Sequence, residues 1–417
     1  MLNTLFRQNA IPNEYRSNFL HLYLDIGWYG VVSGSTINFI NVYATRLGAT
    51  GYQIGLIGAM SAVVTLFLAI PAARWLEKQQ INRAMFWTSV YYRIGFLGLI
   101  FLPWLFSASA QINAIIAVTF LMAIPLTPLG VGFNALFAEA VPNEYRAHVA
   151  GIRNITLSIT FMGTSLLSGY LLDKITFPLG YQIVFAIGFL GAAMSSFHLY
   201  FIKPIGQGKA PLRSQPETAS TSQTASPRKL FSILRLDIWK TPYRKVLLTL
   251  FGFHLAQFLA IPIFPIFNVR VLNLTDDQLG ISTALFYLTV LIGSTQLRNV
   301  VHKLGNKRTT GWGVAGLALY PIIVAYSSNV AIFYFASIVG GFAWSWVGGS
   351  YANYMLEHIP ADDRPPHLAW YNIVLNIAIL IGSLAGPAIS DQIGLFNALI
   401  LFGILRFLAG IAILKWG

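Results

Sequence analysis

The chain has 417 residues, 56% of them hydrophobic and only 10% charged, where a soluble domain carries about 25% charged residues. That balance excludes an ordinary soluble enzyme and describes an integral membrane protein. The lack of cysteine also excludes disulfides, thiolate metal sites, iron–sulfur clusters and cysteine nucleophiles.

The net charge of +13 is a matter of placement. Cutting the chain at its polar breaks leaves twelve apolar stretches, each long enough to cross a hydrocarbon core of about 30 Å. They fall near 19–45, 52–75, 84–106, 111–138, 149–173, 180–202, 245–271, 277–300, 309–327, 330–357, 366–390 and 393–415. With the N-terminus inside, the inner loops and the span ends beside them hold 22 of the 27 Lys and Arg. The outer loops hold only Arg46, Lys174 and Arg270, and Arg93 and Arg406 lie inside spans. This is the positive-inside bias, so the basic charge reports topology, and nucleic acid is not expected as a partner.

The first eighteen residues lack an apolar core and a small-residue cleavage site, so the first span is expected to direct insertion. From Pro204 to Pro227 the chain is rich in Ser, Thr, Pro, Gln and Gly and reads as a cytoplasmic linker. The stretch from Arg228 to Lys240 mixes basic residues with Leu230, Phe231, Ile233, Leu234, Ile238 and Trp239, the pattern of a helix in the inner headgroup layer. The expected divisions are an N-terminal six-helix bundle at 1–203, a linker with its interfacial helix at 204–243, and a C-terminal six-helix bundle at 244–417.

The halves repeat. At an offset of 225, Thr50 and Gln53 fall on Thr275 and Gln278, each pair spaced as a capping box, and Lys78 and Arg83 fall on Lys303 and Arg308. At an offset of 218, Glu139, Pro142, Arg146, Asn154 and Asp173 fall on Glu357, Pro360, Arg364, Asn372 and Asp391. A duplicated six-helix unit accounts for these matches. The fold class is therefore an all-α membrane protein, with twelve transmembrane helices in two pseudo-symmetric six-helix bundles.

On these residues the chain resembles the major facilitator superfamily over essentially its whole length. The family's loop pattern between helices 2 and 3, G-x-x-x-D-[RK]-x-G-x-[RK]-[RK], is degraded here to Ala73 through Arg83, with Glu77 for the acid and both glycines lost. Its echo, Arg298 through Arg308, keeps Gly305 and the basic tail but has His302 where Asp is usual. The resemblance implies a secondary transporter working by alternating access, its site lined mainly by helices 1, 4, 7 and 10. No Walker A, H-E-x-x-H or G-x-S-x-G pattern occurs, so neither ATP hydrolysis nor intramembrane hydrolysis is expected. Neither enzyme activity nor a cofactor is expected. The expected partners are a small-molecule substrate, a proton or other ion, and the bilayer, for a monomer of the cytoplasmic membrane with both termini inside.

Residues matched in both halves, with the loop-motif acid Glu77, are expected to hold frame and gates: Lys78, Arg83, Glu139, Arg146, Lys303, Arg308, Glu357 and Arg364. Unmatched polar residues inside spans are better candidates for chemistry, since a buried ionisable group costs about 2.5–3.5 kcal/mol on insertion scales. Among the fourteen acids only Asp25 lies well inside a span, about 9 Å deep, and Arg93 lies about 15 Å deep in helix 3. The two read as an ion pair locking helices or as a proton site. In helix 7, His254, Gln257 and Phe258 share one face, ahead of Pro262 and Pro265; His254 reads as proton carrier, substrate contact or packing residue. Trp28, Tyr29 and Asn38 in helix 1, with Trp344 and Asn353 in helix 10, complete the expected substrate set. Aromatic faces with amides suit a neutral polar ring or an amphipathic or cationic molecule. With Arg93 as the one mid-depth cation, highly anionic substrates are disfavoured. A passive facilitator and a non-transporting sensor or assembly protein on the same fold are the alternatives.

Overall fold

In the computed structural model, residues 13–205, 235–360 and 363–417 are described. Among them the chain is helical throughout. The first half contains α1 (Asn13–Val32, a π-helical turn Ser33–Ile37, then Asn38–Arg46), α2 (Gly51–Leu76) and α3 (Ile81–Leu105). It continues with α4 (Ala108–Ala140), α5 (Asn143–Lys174) and α6 (Leu179–Tyr200). The second half opens on α7, where Tyr243–Ala260 gives way to Ile263–Ile266 and a second π-helical turn, Phe267–Val271. The break falls where Pro262 and Pro265 withhold backbone donors.

A continuous helical stretch, Asp276–Ala325, is two helices, because Gly305 has φ 77° and breaks it. A left-handed backbone there is open to glycine at no steric cost. We call the parts α8 (276–304) and α9 (306–325). The helices α10 (Val330–Glu357), α11 (Arg364–Ile393) and α12 (Leu395–Trp416) complete twelve. Both expected capping boxes form: Gln53 and Gln278 each return a side-chain acceptor to the backbone of Thr50 and Thr275, whose hydroxyls accept from the glutamine N–H.

By contact the described chain divides into two compact units, 13–43 with 67–205 and 44–66 with 235–417. In the first, α1 packs on α5 and α6, and α3 on α4 and α6. Gly34 allows a close backbone approach, since a Cβ there would stand 2.4 Å from the backbone oxygen of Phe161. In the second unit, Tyr243, Leu250, Phe253, Val314, Leu317, Val347, Tyr354 and Ile413 form one buried cluster. The outward faces are apolar instead of charged: Phe67 is 77% exposed and Trp104 68%, as a lipid-facing surface requires.

The three cations expected on the outer side all have partners. Arg46 reaches Asp276 at 2.9 Å, Lys174 reaches Asp173 at 3.3 Å, and Arg270 donates to the carbonyl of Ala49. Of the expected interfacial helix, 228–234 lies outside the described residues. Its described end, Leu236–Lys240, is a 3-10 turn. Ile238 is fully buried in the second unit's core, and Trp239 stands edge-on to Trp370.

Candidate functional site

In the first unit, Asp25 is 3% exposed on α1. One carboxylate oxygen accepts from the Ser195 hydroxyl at 2.5 Å; the other lies 3.3 Å from an Arg153 guanidinium nitrogen. Arg93 stands 3.8 Å from the first oxygen and donates to Ser196 at 2.8 Å. Arg153 also donates to the carbonyl of Leu22 at 2.7 Å and lies 4.8 Å over the ring of Phe133. Four helices, α1, α3, α5 and α6, thus meet on one carboxylate.

The expected Asp25–Arg93 contact is present, and a second cation joins it. One carboxylate facing two guanidinium groups leaves a net charge of +1 in a place where each buried ion costs several kcal/mol to desolvate. At an effective dielectric of about 20, each close opposite pair returns roughly 4 kcal/mol. The second guanidinium is therefore held by hydrogen bonds to Leu22, by the Phe133 face, and by sharing Asp25.

Tyr29 lies one turn beyond Asp25 on α1. Asn38 donates to Ser165 of α5 at 3.1 Å. Trp28 is half-buried, and its carbonyl lies against Gly191 of α6.

In the second unit, His254 Nε2 and the Tyr371 hydroxyl are 3.0 Å apart, and Tyr351 stands edge-on to the imidazole at 6.3 Å. Phe258 packs against Gly382 of α11, so the expected face of α7 divides its work between a polar contact and helix packing. Gln257 has a buried side-chain oxygen without a hydrogen-bond partner. Its carbonyl lies 3.5 Å from Arg406, which is 1% exposed and lies 3.4 Å from the carbonyl of Leu317. Trp344 packs on the core cluster, while Asn353 is exposed.

Residues matched in both halves lie mostly near helix ends. Arg146 caps α4 by donating to the carbonyls of Val141 and Ala138, and the Glu139 carbonyl accepts from Ile205. Glu357 accepts from Asn306 at 2.7 Å. Glu77, Lys78, Arg83, Lys303, Arg308 and Arg364 are exposed. Two apolar clefts, one lined by Trp75, Trp87 and Pro125 and one by Trp312, Trp346 and Phe407, carry no charged side chain and lie apart from this chemistry.

The charge count along the sequence groups Arg153 with the inner-side cations, at the start of the span 149–173. The structure begins α5 at Asn143, which places Arg153 ten residues inside the helix, 8% exposed. The duplication carried a signal for it. At the offsets of 225 and 218, Tyr29 answers to His254 and Arg153 to Tyr371, and His254 and Tyr371 touch. The same first-to-fifth helix contact recurs in each unit with different chemistry. Arg93 and Arg406 also answer each other, from opposite sides: Arg93 reaches from α3 to α6, Arg406 from α12 to α9.

A polytopic helical membrane protein with a duplicated six-helix unit and buried charge in its spans defines a transporter class. The chain belongs to the Major Facilitator Superfamily, whose family model matches residues 26–275 and 246–417. It is 25% identical over 305 residues, 70% of this chain and 69% of the relative, to the cis,cis-muconate transport protein of Acinetobacter baylyi. It is also 25% identical over 151 residues to multidrug resistance protein 2 of Bacillus subtilis, covering 36% of this chain and 38% of that protein. Among solved structures it resembles a bacterial homologue of the iron transporter ferroportin in its inward-facing state, with TM-score 0.73 and 13% identity over 98% of this chain and 99% of that one. A mutant form of the nucleoside transporter NupG matches with TM-score 0.71 and 13% identity over 95% of this chain and 99% of that one. At these identities the structural likeness concerns the fold.

Proposed function

We propose that this transporter is a proton-coupled secondary carrier of a small organic anion, working by alternating access in the cytoplasmic membrane as a monomer with both termini inside. The observation that carries this reading is Asp25 held against both Arg93 and Arg153. Two guanidinium groups around one carboxylate form an anion site already filled by the protein's own side chain. A proton on Asp25 removes that internal anion and frees the guanidinium groups for a carboxylate of the cargo, which their planar donors match. Anion and proton then cross together, which is electroneutral for a monocarboxylate. Arg153 beside Arg93 supplies the clustered guanidinium groups that an anionic cargo would want, which supports this reading over the expectation that anions are disfavoured. The relative whose name gives cis,cis-muconate as its cargo supports the same reading.

A second reading rests on the His254, Tyr371 and Tyr351 group. It suits a neutral polar ring or an amphipathic or cationic molecule, with Asp25 carrying only the proton. A thermal-shift panel on the full-length protein in detergent separates the two, because ligands that bind the folded state raise its melting point. The panel holds cis,cis-muconate, benzoate, uridine, glucose and a quaternary ammonium drug, each at acidic and neutral pH. The first reading expects the carboxylates to shift the melting point, more at acidic pH, and to lose the effect in Arg153→Gln. Shifts by uridine or the drug alone, unchanged in Arg153→Gln, establish the second.

A further inference from the structure

Four residues before Asp25, α1 carries His21; three residues after Ser195, α6 carries His198. Their Nδ1 atoms face each other at 3.0 Å, with ring centroids 5.2 Å apart. Phe201 stacks on the His21 ring at 4.9 Å and Phe197 meets His198 edge-on. Two ring nitrogens at that distance form a hydrogen bond only if one carries a proton and the other offers its lone pair. The contact therefore holds one proton between two bases.

The pair also has a direction. His198 is 8% exposed, whereas His21 is half-buried. Beyond them, Asn18 bonds Lys203 and Ala140, at the end of the bundle that the charge bias places in the cytoplasm. On the other side, Asp25 lies one helical turn from His21, and Ser195, which donates to Asp25, lies one turn from His198 on the same face of α6. Other charges on the packed elements are Arg93 on α3 and Arg153 on α5, both committed to Asp25. Asp25 and His21 are the charged neighbours that act on His198.

We propose that His21 and His198 form the proton relay between the cytoplasmic water and Asp25. The inference rests on the reading of Asp25 as the protonated group. Inward, His21 takes a proton from water at Nε2 and passes its Nδ1 proton to Nδ1 of His198. His198 then gives its Nε2 proton to the Ser195 hydroxyl as that hydroxyl passes its own proton to the Asp25 oxygen it touches, and the carboxylate becomes a carboxylic acid. One proton enters, one arrives, and both imidazoles end neutral with exchanged tautomers. Release to the cytoplasm runs the same steps backward and restores the starting tautomers.

The test uses the full-length protein in liposomes and needs no cargo. A rapid drop in pH is followed by infrared absorption of the carboxylic acid C=O stretch, assigned to Asp25 by its loss in Asp25→Asn. The expected result is that His198→Gln and His21→Gln slow the appearance of that band by roughly 10²-fold, the scale of a lost general acid–base group, with its final amplitude unchanged. Gln keeps a polar side chain but cannot relay a proton, and unchanged amplitude reports an intact fold. His198→Ala, read the same way, supplies the second variant should Gln misfold. Wild-type rates in both histidine variants overturn the relay. A band that Asp25→Asn does not remove overturns the reading of Asp25 itself, a separate and distinguishable outcome.

Discussion

Arg153 holds a guanidinium nitrogen 3.3 Å from the Asp25 carboxylate, joining α5 to α1 across 128 residues of sequence. This contact turns a simple ion pair with Arg93 into a site with more positive than negative charge. Removing one partner from a buried ion cluster typically costs about 3–5 kcal/mol. Arg153→Met is therefore expected to lower the detergent melting point and abolish transport, while Arg153→Lys keeps the charge but loses the planar fork. Melting curves beside counterflow assays check this. A Met variant as stable and as active as wild type contradicts it.

Arg406 makes the opposite prediction. It is 1% exposed, bonds two carbonyls at 3.4 and 3.5 Å, and leaves its Nε without a partner. A buried cation without a carboxylate costs more than it returns, and an apolar residue of similar volume is often stabilising by about 1–4 kcal/mol. Arg406→Met is expected to raise the melting point. A lower melting point shows that the carbonyl contacts outweigh desolvation.

The His254–Tyr371 contact is a neutral hydrogen bond of 3.0 Å. Tyr371→Phe removes it at a cost of about 1 kcal/mol, so the fold should survive. If the second unit contributes to cargo recognition, affinity in this variant falls while the melting point of the free protein stays close to wild type. Equal affinity removes the pair from the site.

Much of this was readable in the sequence, for identifiable reasons. Hydropathy and loop charge gave the twelve helices, and the matched Thr and Gln pairs gave two helix starts that the structure caps as expected. Asp25 and Arg93 stood out because charge inside a span is rare. Arg153 did not, because it stands only four residues into its span, where a cation reads with the neighbouring inner-side charge. Asn353 is expected as a substrate contact from its place in helix 10, but sequence does not fix which side of the helix it takes; its side chain is exposed. His21 and His198 lie 177 residues apart, and no local pattern links them.

Outside the spans, Arg235 joins Asp237 at 2.9 Å and Asp363 at 2.8 Å, fastening the turn before α7 to the start of α11. Its hydrogen bonds to Arg235 hold Asp237 below its ordinary value of 3.8. A depressed carboxylate contributes stability above its ordinary value and loses it as pH falls through the depressed one. The turn should therefore stay docked at neutral pH and loosen only under acid below the usual aspartate range. Trp239 emission reports the change, which high salt should weaken because the pair is exposed. Loosening near neutral pH contradicts this assignment.

The central claim is that the cargo anion binds together with a proton on Asp25, and linked proton uptake on binding tests it most directly. Titrating wild type and Asp25→Asn with the carboxylate that gives the largest melting shift, in buffers of different ionisation enthalpy, counts the protons taken up. The account predicts about one proton per anion bound by wild type, none by Asp25→Asn, and affinity in the variant that no longer rises with acid. Equal proton uptake by the two proteins contradicts it.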